Sequence, residues 1–147
     1  MNEKKPKKVF IDGPIKPEFI SDSISKHSGK HEIGAHSIFL GQVRNDKHPD
    51  GEVVSIEYTA YTEMAEEILH TIREDTFSKF ALTCMHIYHS LGVVKSGEIS
   101  LFVFTSSVHR KDATDACSYV VERLKKEVPV WGLENLEDKR YIWKQNR

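Results

Sequence analysis

Cysteine is scarce: the chain has only Cys84 and Cys117, and no Cys-x-x-Cys spacing. Two such residues exclude a disulfide framework and are compatible with a reducing compartment. No stretch approaches the ~20 consecutive apolar residues of a membrane helix. The basic start, Met1 to Lys8, is followed by no apolar signal-peptide core. These absences predict a soluble, cytoplasmic protein with no membrane partner. An excess of charge of one sign is lacking too, because 21 basic residues stand against 22 acidic ones for a net charge of −1. That excludes a broad nucleic-acid-binding surface, so any basic site must be local. No repeat or low-complexity linker interrupts the chain, and 147 residues suffice for one domain with a sizeable core. The expected organisation is a mobile basic tail over 1–8 and one domain over 9–147.

What is present reads as alternating strands and helices. A short strand is expected at Val9–Ile11, a weak helical pattern from Pro17 to about Lys26, and a loop at Ser28–Glu32. Gly34 to Arg44 mixes β-branched and aromatic residues and stops at the turn formers Asn45–Gly51, predicting a strand and a loop. From Val53 to Ala60 the two-residue period sets Val54, Ile56 and Tyr58 on one side and Ser55, Glu57 and Thr59 on the other. These two strands are candidates to pair through the Asp-Gly-containing loop. From Thr62, the positions Met64, Ala65, Ile68, Leu69, Ile72 and Phe77 recur at helical spacing, predicting a helix to about Lys79. Leu82–His89 and Glu98–Thr105 read as strands joined through Leu91–Gly97, the second apolar on both faces and therefore central. Asp112 to Glu127 carries an apolar stripe of Ala113, Ala116, Cys117, Val120, Val121 and Leu124, and Pro129 ends that helix. The fold class is α+β, with a mostly antiparallel sheet and two main helices.

Three places carry candidate chemistry. Arg44 ends an apolar strand beside a loop, where a guanidinium can fork onto a phosphate or carboxylate or simply lie solvated at the rim. His109 and Arg110 precede the last helix, whose unpaired N–H groups and dipole favour an anion; equally, Ser106 or Ser107 caps that helix while both cations face water. Lys125 lies too far along the helix to touch His109 and must meet its partners through tertiary folding. Most lysines there complement the helix C-terminus, whereas one crowded by other cations loses its proton more easily and serves as base or nucleophile. Cys84, His86 and His89 invite a metal reading, but His86 and His89 are an odd number apart on a strand and point to opposite faces, so no metal site is expected.

Four segments together resemble one family, the large catalytic subunit of molybdopterin synthase, called MoaE. They are Gly41-Gln-Val-Arg-Asn45, Glu57-Tyr-Thr-Ala-Tyr61, Ser106-Ser-Val-His-Arg-Lys111 and Leu124-Lys-Lys-Glu-Val-Pro-Val-Trp131, closing with Trp143. The resemblance implies an α/β-hammerhead fold and a homodimer within a heterotetramer. It also implies a small ubiquitin-like partner subunit whose C-terminal Gly-Gly tail carries a thiocarboxylate. Sulfur from that tail would pass to cyclic pyranopterin monophosphate, in two rounds, to form the dithiolene of molybdopterin, with no cofactor. By the same resemblance Gln42, Val43, Arg44, His109, Arg110, Lys125, Gly132, Leu133 and Glu134 are the substrate-binding positions, and Lys125 is also the essential lysine, acting by charge stabilisation, proton transfer or a transient amide link.

One departure stands out. Many members place a second pocket lysine directly after Pro-x-Trp, whereas here that position is Gly132, followed by Leu133 and the matching Glu134. Lys126, Lys139, Lys144 and Arg147 are the nearby cations that remain as candidates for the missing charge, within the chain or across a dimer. The rival to the synthase reading is a non-catalytic binding subunit that keeps the fold and partner pocket but has lost turnover with that lysine. A nucleic-acid module would need a basic stripe with stacking aromatics, and the aromatics here alternate into core faces.

Overall fold

A computed structural model describes residues 8–137 and 141–143. The elements run β1 (Phe10–Asp12), α1 (Pro17–Lys26), β2 (Ala35–Gln42), β3 (Lys47–His48), β4 (Gly51–Ala60) and α2 (Thr62–Lys79). They continue with β5 (Cys84–Lys95), β6 (Ile99–Ser107), α3 (Arg110–Glu127), β7 (Val130–Leu136) and β8 (Tyr141–Trp143). One sheet follows the order β2-β6-β5-β4-β7-β8, with β1 added to β5 and β3 to β4. Every pairing is antiparallel except β1 with β5, so the α+β architecture expected from the sequence is the one observed.

The central place of β6 follows from its two apolar faces. Leu101 and Val103 pack with Met85 and Ile87 against Leu69 and Ile72 of α2 and Cys117, Val120 and Val121 of α3. Phe102 and Phe104, both fully buried, point the other way, where Phe19 and Ile20 of α1 cover them. A third cluster, Val43, Val53, Ile56, Tyr58, Val94 and Leu136, fills the far half of the sheet. Arg123 ties the two long helices together, its Nη1 donating to Asp75 at 2.6 Å and its Nε to Glu127 at 2.6 Å.

Several expectations need correction. The strand β2 does not pair with β4 through the Asn45–Gly51 loop; it lies along β6, and the loop forms its own short strand, β3, on β4. The backbone decides this, because Val43 N–H donates to the Glu98 carbonyl and Gly97 N–H to the Val43 carbonyl, extending β2 along the start of β6. Alternation along β4 breaks at Val54, where the register with β7 shifts between Val53 and Ser55. Val54 is therefore exposed, while Val53 and Ser55 are buried beside Ile56. The segment from Leu91, read as a connection, is the second half of β5. Strand β5 bonds to β6 over Cys84–His89 and to β4 over Gly92–Lys95, and Gly92, at a φ of +82°, makes the bend between them. Met64 on α2 is exposed, and β7 was not foreseen. Helix α3 starts at Arg110, so His109 is its N-cap and Arg110 its first residue rather than both preceding it.

Candidate active site

A cavity of about 250 Å³ opens between the end of α3, the end of β2 and the strand β7. Its construction begins with Pro129, which stops α3 and turns the chain directly into β7. That turn places Leu124, Lys125 and Val128 on one wall and Val130, Trp131 and Gly132 on the next. Gly41 and Gln42 from β2 and Trp143 from β8 complete the rim. The floor is made by side chains from three strands: Tyr58 of β4, His89 of β5, and Ser100 and Leu101 of β6.

The floor is polar but internally bonded. Tyr58 Oη donates to Ser100 Oγ at 3.3 Å, and Ser100 Oγ in turn approaches the Gly41 carbonyl at 3.4 Å. Burial pushes the Tyr58 phenol above its ordinary range, and the nearby Glu134 carboxylate raises it further, against the lowering effect of the Ser100 bond. The phenol is therefore neutral around pH 7 and acts as a hydrogen-bond group, not a base. Nδ1 of His89 donates to the Ser90 carbonyl at 2.7 Å, which fixes the ring while it packs edge-on against Tyr58.

Of the residues named from the sequence, Gln42, Lys125 and Gly132 line this cavity. Lys125 is exposed in the last turn of α3. Val43 is 2% exposed and sits in the third core cluster, with both its backbone groups bonded to the β5–β6 turn. Arg44 lies beyond β2, is well exposed and pairs with Asp46, Nε to Oδ1 at 3.2 Å. Leu133 and Glu134 follow Gly132 in β7 opposite Glu57 and Ile56. Glu134 is buried, with its Oε2 3.7 Å from His48 Nε2, beyond hydrogen-bond reach. Lys126 is exposed beside Lys125, and Lys139, Lys144 and Arg147 fall outside the described residues.

His109 and Arg110 are exposed at the opposite end of α3 from Lys125. Fifteen residues of helix separate Arg110 from Lys125, about 22 Å at 1.5 Å per residue. One chain therefore does not bring the two groups onto one small molecule. The His109 end is held from below: the Ser107 hydroxyl donates to the His109 carbonyl and accepts from Ala113 N–H at 3.0 Å, and Thr105 Oγ1 donates to the Ala113 carbonyl at 2.7 Å. Gly34 presses against the same connection, donating to the Ser107 carbonyl, and a Cβ there would stand 2.2 Å from the Val108 carbonyl oxygen. Gly34→Ala should therefore lower stability by about 1–3 kcal/mol as that backbone is displaced. Gly29→Ala, where a Cβ meets nothing within 4 Å, serves as the control in thermal denaturation and should be close to neutral.

The family profile described as "MoaE protein" matches residues 12–127, most of the chain. The chain belongs to the MoaE family. Among curated MoaE relatives, the bovine (Bos taurus) molybdopterin synthase catalytic subunit is 33% identical over 147 residues, covering all of this chain and 77% of the relative. The counterpart from Oryza sativa subsp. indica is 40% identical over 114 residues, 78% of this chain and 58% of the relative. The chain thus spans about three-fifths to three-quarters of the length of these relatives. Among solved structures, a molybdopterin synthase from Staphylococcus aureus superposes with a TM-score of 0.81 at 31% identity, over 93% of this chain and 96% of that one. A subunit of the molybdopterin-converting factor complex of Helicobacter pylori shares the fold, with a TM-score of 0.79 at 19% identity over 95% and 90%.

Among the polar side chains of the cavity, Tyr58, His89 and Ser100 are those that sequence reasoning missed. Tyr58 lay within a family-like segment, and His89 was weighed only as a partner for His86. No local signal pointed to Ser100, because only the tertiary crossing of β4, β5 and β6 brings these side chains together.

Proposed function

We propose that this chain is the catalytic subunit of a molybdopterin synthase. It would transfer sulfur from the C-terminal thiocarboxylate of a small ubiquitin-like subunit to cyclic pyranopterin monophosphate. The observation that carries the reading is Lys125 lining a cavity together with Gln42, Gly132, Trp131 and Trp143. A cavity of about 250 Å³ has room for a Gly-Gly tail, which has no side chains to exclude. Beside it a second recess is lined by Thr59, Ala60, Tyr61, Trp131 and Trp143. Tyr61 and Trp131 meet edge-to-face at 5.1 Å and, with Trp143, stay largely exposed. An exposed aromatic patch next to the tail entrance is where the body of the small subunit would dock.

Within the cavity, the thiocarboxylate sulfur would first take the place of an oxygen on the pterin side chain, giving an acyl–sulfur link. The ammonium of Lys125 stabilises the oxyanion formed as water adds to that carbonyl, before the C–S bond breaks to leave sulfur on the pterin and a carboxylate on the tail. Tyr58 and Ser100 shape the neutral polar floor. The substrate's cyclic phosphate needs cations, and Arg44, His109 and Arg110 are the proposed binders. Because His109 and Arg110 lie at the far end of α3, a second copy of the chain would supply them, and the homodimer is part of the active unit. No helix among the described residues is long and apolar enough to cross a membrane. The free thiols and the thiocarboxylate chemistry suit the cytoplasm.

Reconstitution with a thiocarboxylated small subunit and cyclic pyranopterin monophosphate, read as the fluorescent oxidised derivative of molybdopterin, tests this directly. Product supports the synthase and shows that Gly132 permits turnover. A complex that forms but makes none favours the binding subunit, and a large gain on Gly132→Lys would support that rival. The cross-chain arrangement has its own test. Lys125→Ala and Arg110→Ala homodimers should each be nearly inactive, whereas mixed dimers should regain about half of the wild-type rate, because each holds one intact site. No recovery on mixing would place both residues in one site of one chain.

A further inference from the structure

On the face of the sheet opposite the cavity, the structure gathers His27, Cys84 and His86 so that one ligand atom of each lies within 4.8 Å of the other two. We propose that these three residues form a site for a borderline-soft divalent cation of the zinc class, binding through two imidazole nitrogens and one thiolate. The strand argument that set His86 against His89 holds, since His89 turns to the cavity. The second imidazole comes instead from α1, whose C-cap is His27.

Four observations carry the proposal. Cys84 and His86 are two residues apart on β5 and so project from the same face, toward α1. Nδ1 of His27 lies 2.7 Å from the Ser23 carbonyl, which can only accept, so Nδ1 carries the proton. In the neutral ring Nε2 then carries no proton and accepts from Nε2–H of His86 at 3.0 Å, a lone pair that an ion can take instead. A backbone carbonyl that fixes the tautomer from behind is the usual support of a metal-bound histidine. Tetrahedral zinc, with bonds near 2.0–2.1 Å to nitrogen and 2.3 Å to sulfur, sets neighbouring ligands about 3.3 to 3.6 Å apart. The two nitrogens, 3.0 Å apart, and the sulfur within 4.8 Å of both would close on an ion by shifts on the order of 1 Å. One side of the cluster is apolar, because Phe104 packs against both imidazoles, at 4.9 Å from His27 and 6.2 Å from His86, while His27 and Cys84 are buried.

A cation already stands at the sulfur: Lys30 Nζ is 2.8 Å from Cys84 Sγ. Lys30 is exposed on the turn after α1, so its ammonium can swing into water when an ion arrives. On binding, the Cys84 S–H bond is replaced by a metal–sulfur bond and its proton passes to solvent, while His86 gives up the Nε2 proton it donates to His27 by taking its other tautomer, which frees Nε2 for the ion. Water takes the fourth position. The bound ion would clamp α1 to the centre of the sheet, on the side away from the sulfur-transfer cavity.

The full-length chain titrated with Co2+ should bind one equivalent, showing tetrahedral visible bands and a thiolate-to-cobalt charge-transfer band, both erased by Zn2+. Zinc at about 100 times its dissociation constant should raise Tm by at least 5 °C. Cys84→Ser should remove the charge-transfer band and His27→Ala should weaken binding at least 10-fold, while Cys117→Ser leaves both unchanged. Lys30→Ala should tighten binding by removing the competing ammonium, and it tests the site even where His27→Ala fails to fold. Absence of the cobalt spectrum, or its persistence in Cys84→Ser, would overturn the proposal. So would a loss of binding in Lys30→Ala, which would mean that the lysine and thiol are only a structural pair.

Discussion

Lys125→Ala should reduce molybdopterin formation at least about 100-fold, the usual cost of removing one group that stabilises developing charge in an enclosed site. The same change should leave the fold almost untouched. Lys125 is exposed, alanine is the best helix former, and the lost interaction with the helix C-terminus is worth only about 0.3–1 kcal/mol. The two readouts therefore separate, with rate collapsing and Tm moving by a degree or two. Lys125→Arg distinguishes among the roles open to the lysine. An arginine keeps the charge but forms no amide link and gives up no proton, so partial activity identifies electrostatic stabilisation, and none identifies covalent or proton-transfer chemistry. A Lys125→Ala enzyme that kept near-normal turnover would remove the residue from the mechanism.

Phe102→Ala should cost about 3–5 kcal/mol and lower Tm by roughly 10 °C, measurable by calorimetry. Phe102 is wholly buried on β6, edge-on to Phe19 of α1 at 6.3 Å and stacked with Tyr88 and Phe104 at 5.9 and 5.8 Å. Nothing mobile borders it to fill the space, since its neighbours lie on the central strands and on the helix that covers them. A loss of that size is a large part of the 5–15 kcal/mol by which a domain is ordinarily stable. Ile24→Ala, on the exposed side of α1, should stay within about 0.5 kcal/mol. A loss under about 1 kcal/mol at Phe102 would mean that α1 packs too loosely to act as a cover.

Helix limits were the most legible part of the sequence. Pro17 and Pro129 mark where chains can begin or cannot continue a helix, and the stripes along α2 and α3 have the right period, so Lys26, Lys79 and Glu127 were found as ends. Strand partners were not legible, because pairing joins residues far apart in the chain and leaves no mark on either. The β2–β4 hairpin was the local choice, and β6, apolar on both faces and central in the sheet, is the strand that β2 pairs with instead. The strand β7 escaped notice because Gly132 sits inside it, and the end of β5 because Gly92 and exposed Val93 look like a turn. The site divides in the same way. Gln42, Lys125 and Gly132 lie in recognisable segments, whereas Tyr58, His89 and Ser100 converge only through the crossing of three strands. The His27, Cys84 and His86 cluster needed the docking of α1.

The bend in β5 has a bearing on how the molecule comes apart. Because this one strand is hydrogen-bonded first to β6 and then to β4, the helix-covered half of the sheet and the half that carries β7 share a common backbone ladder. Neither half has a free seam along which it can fray alone. Melting is then a single cooperative event, and the cavity, which draws walls from both halves, is lost together with the hydrophobic interior rather than before it.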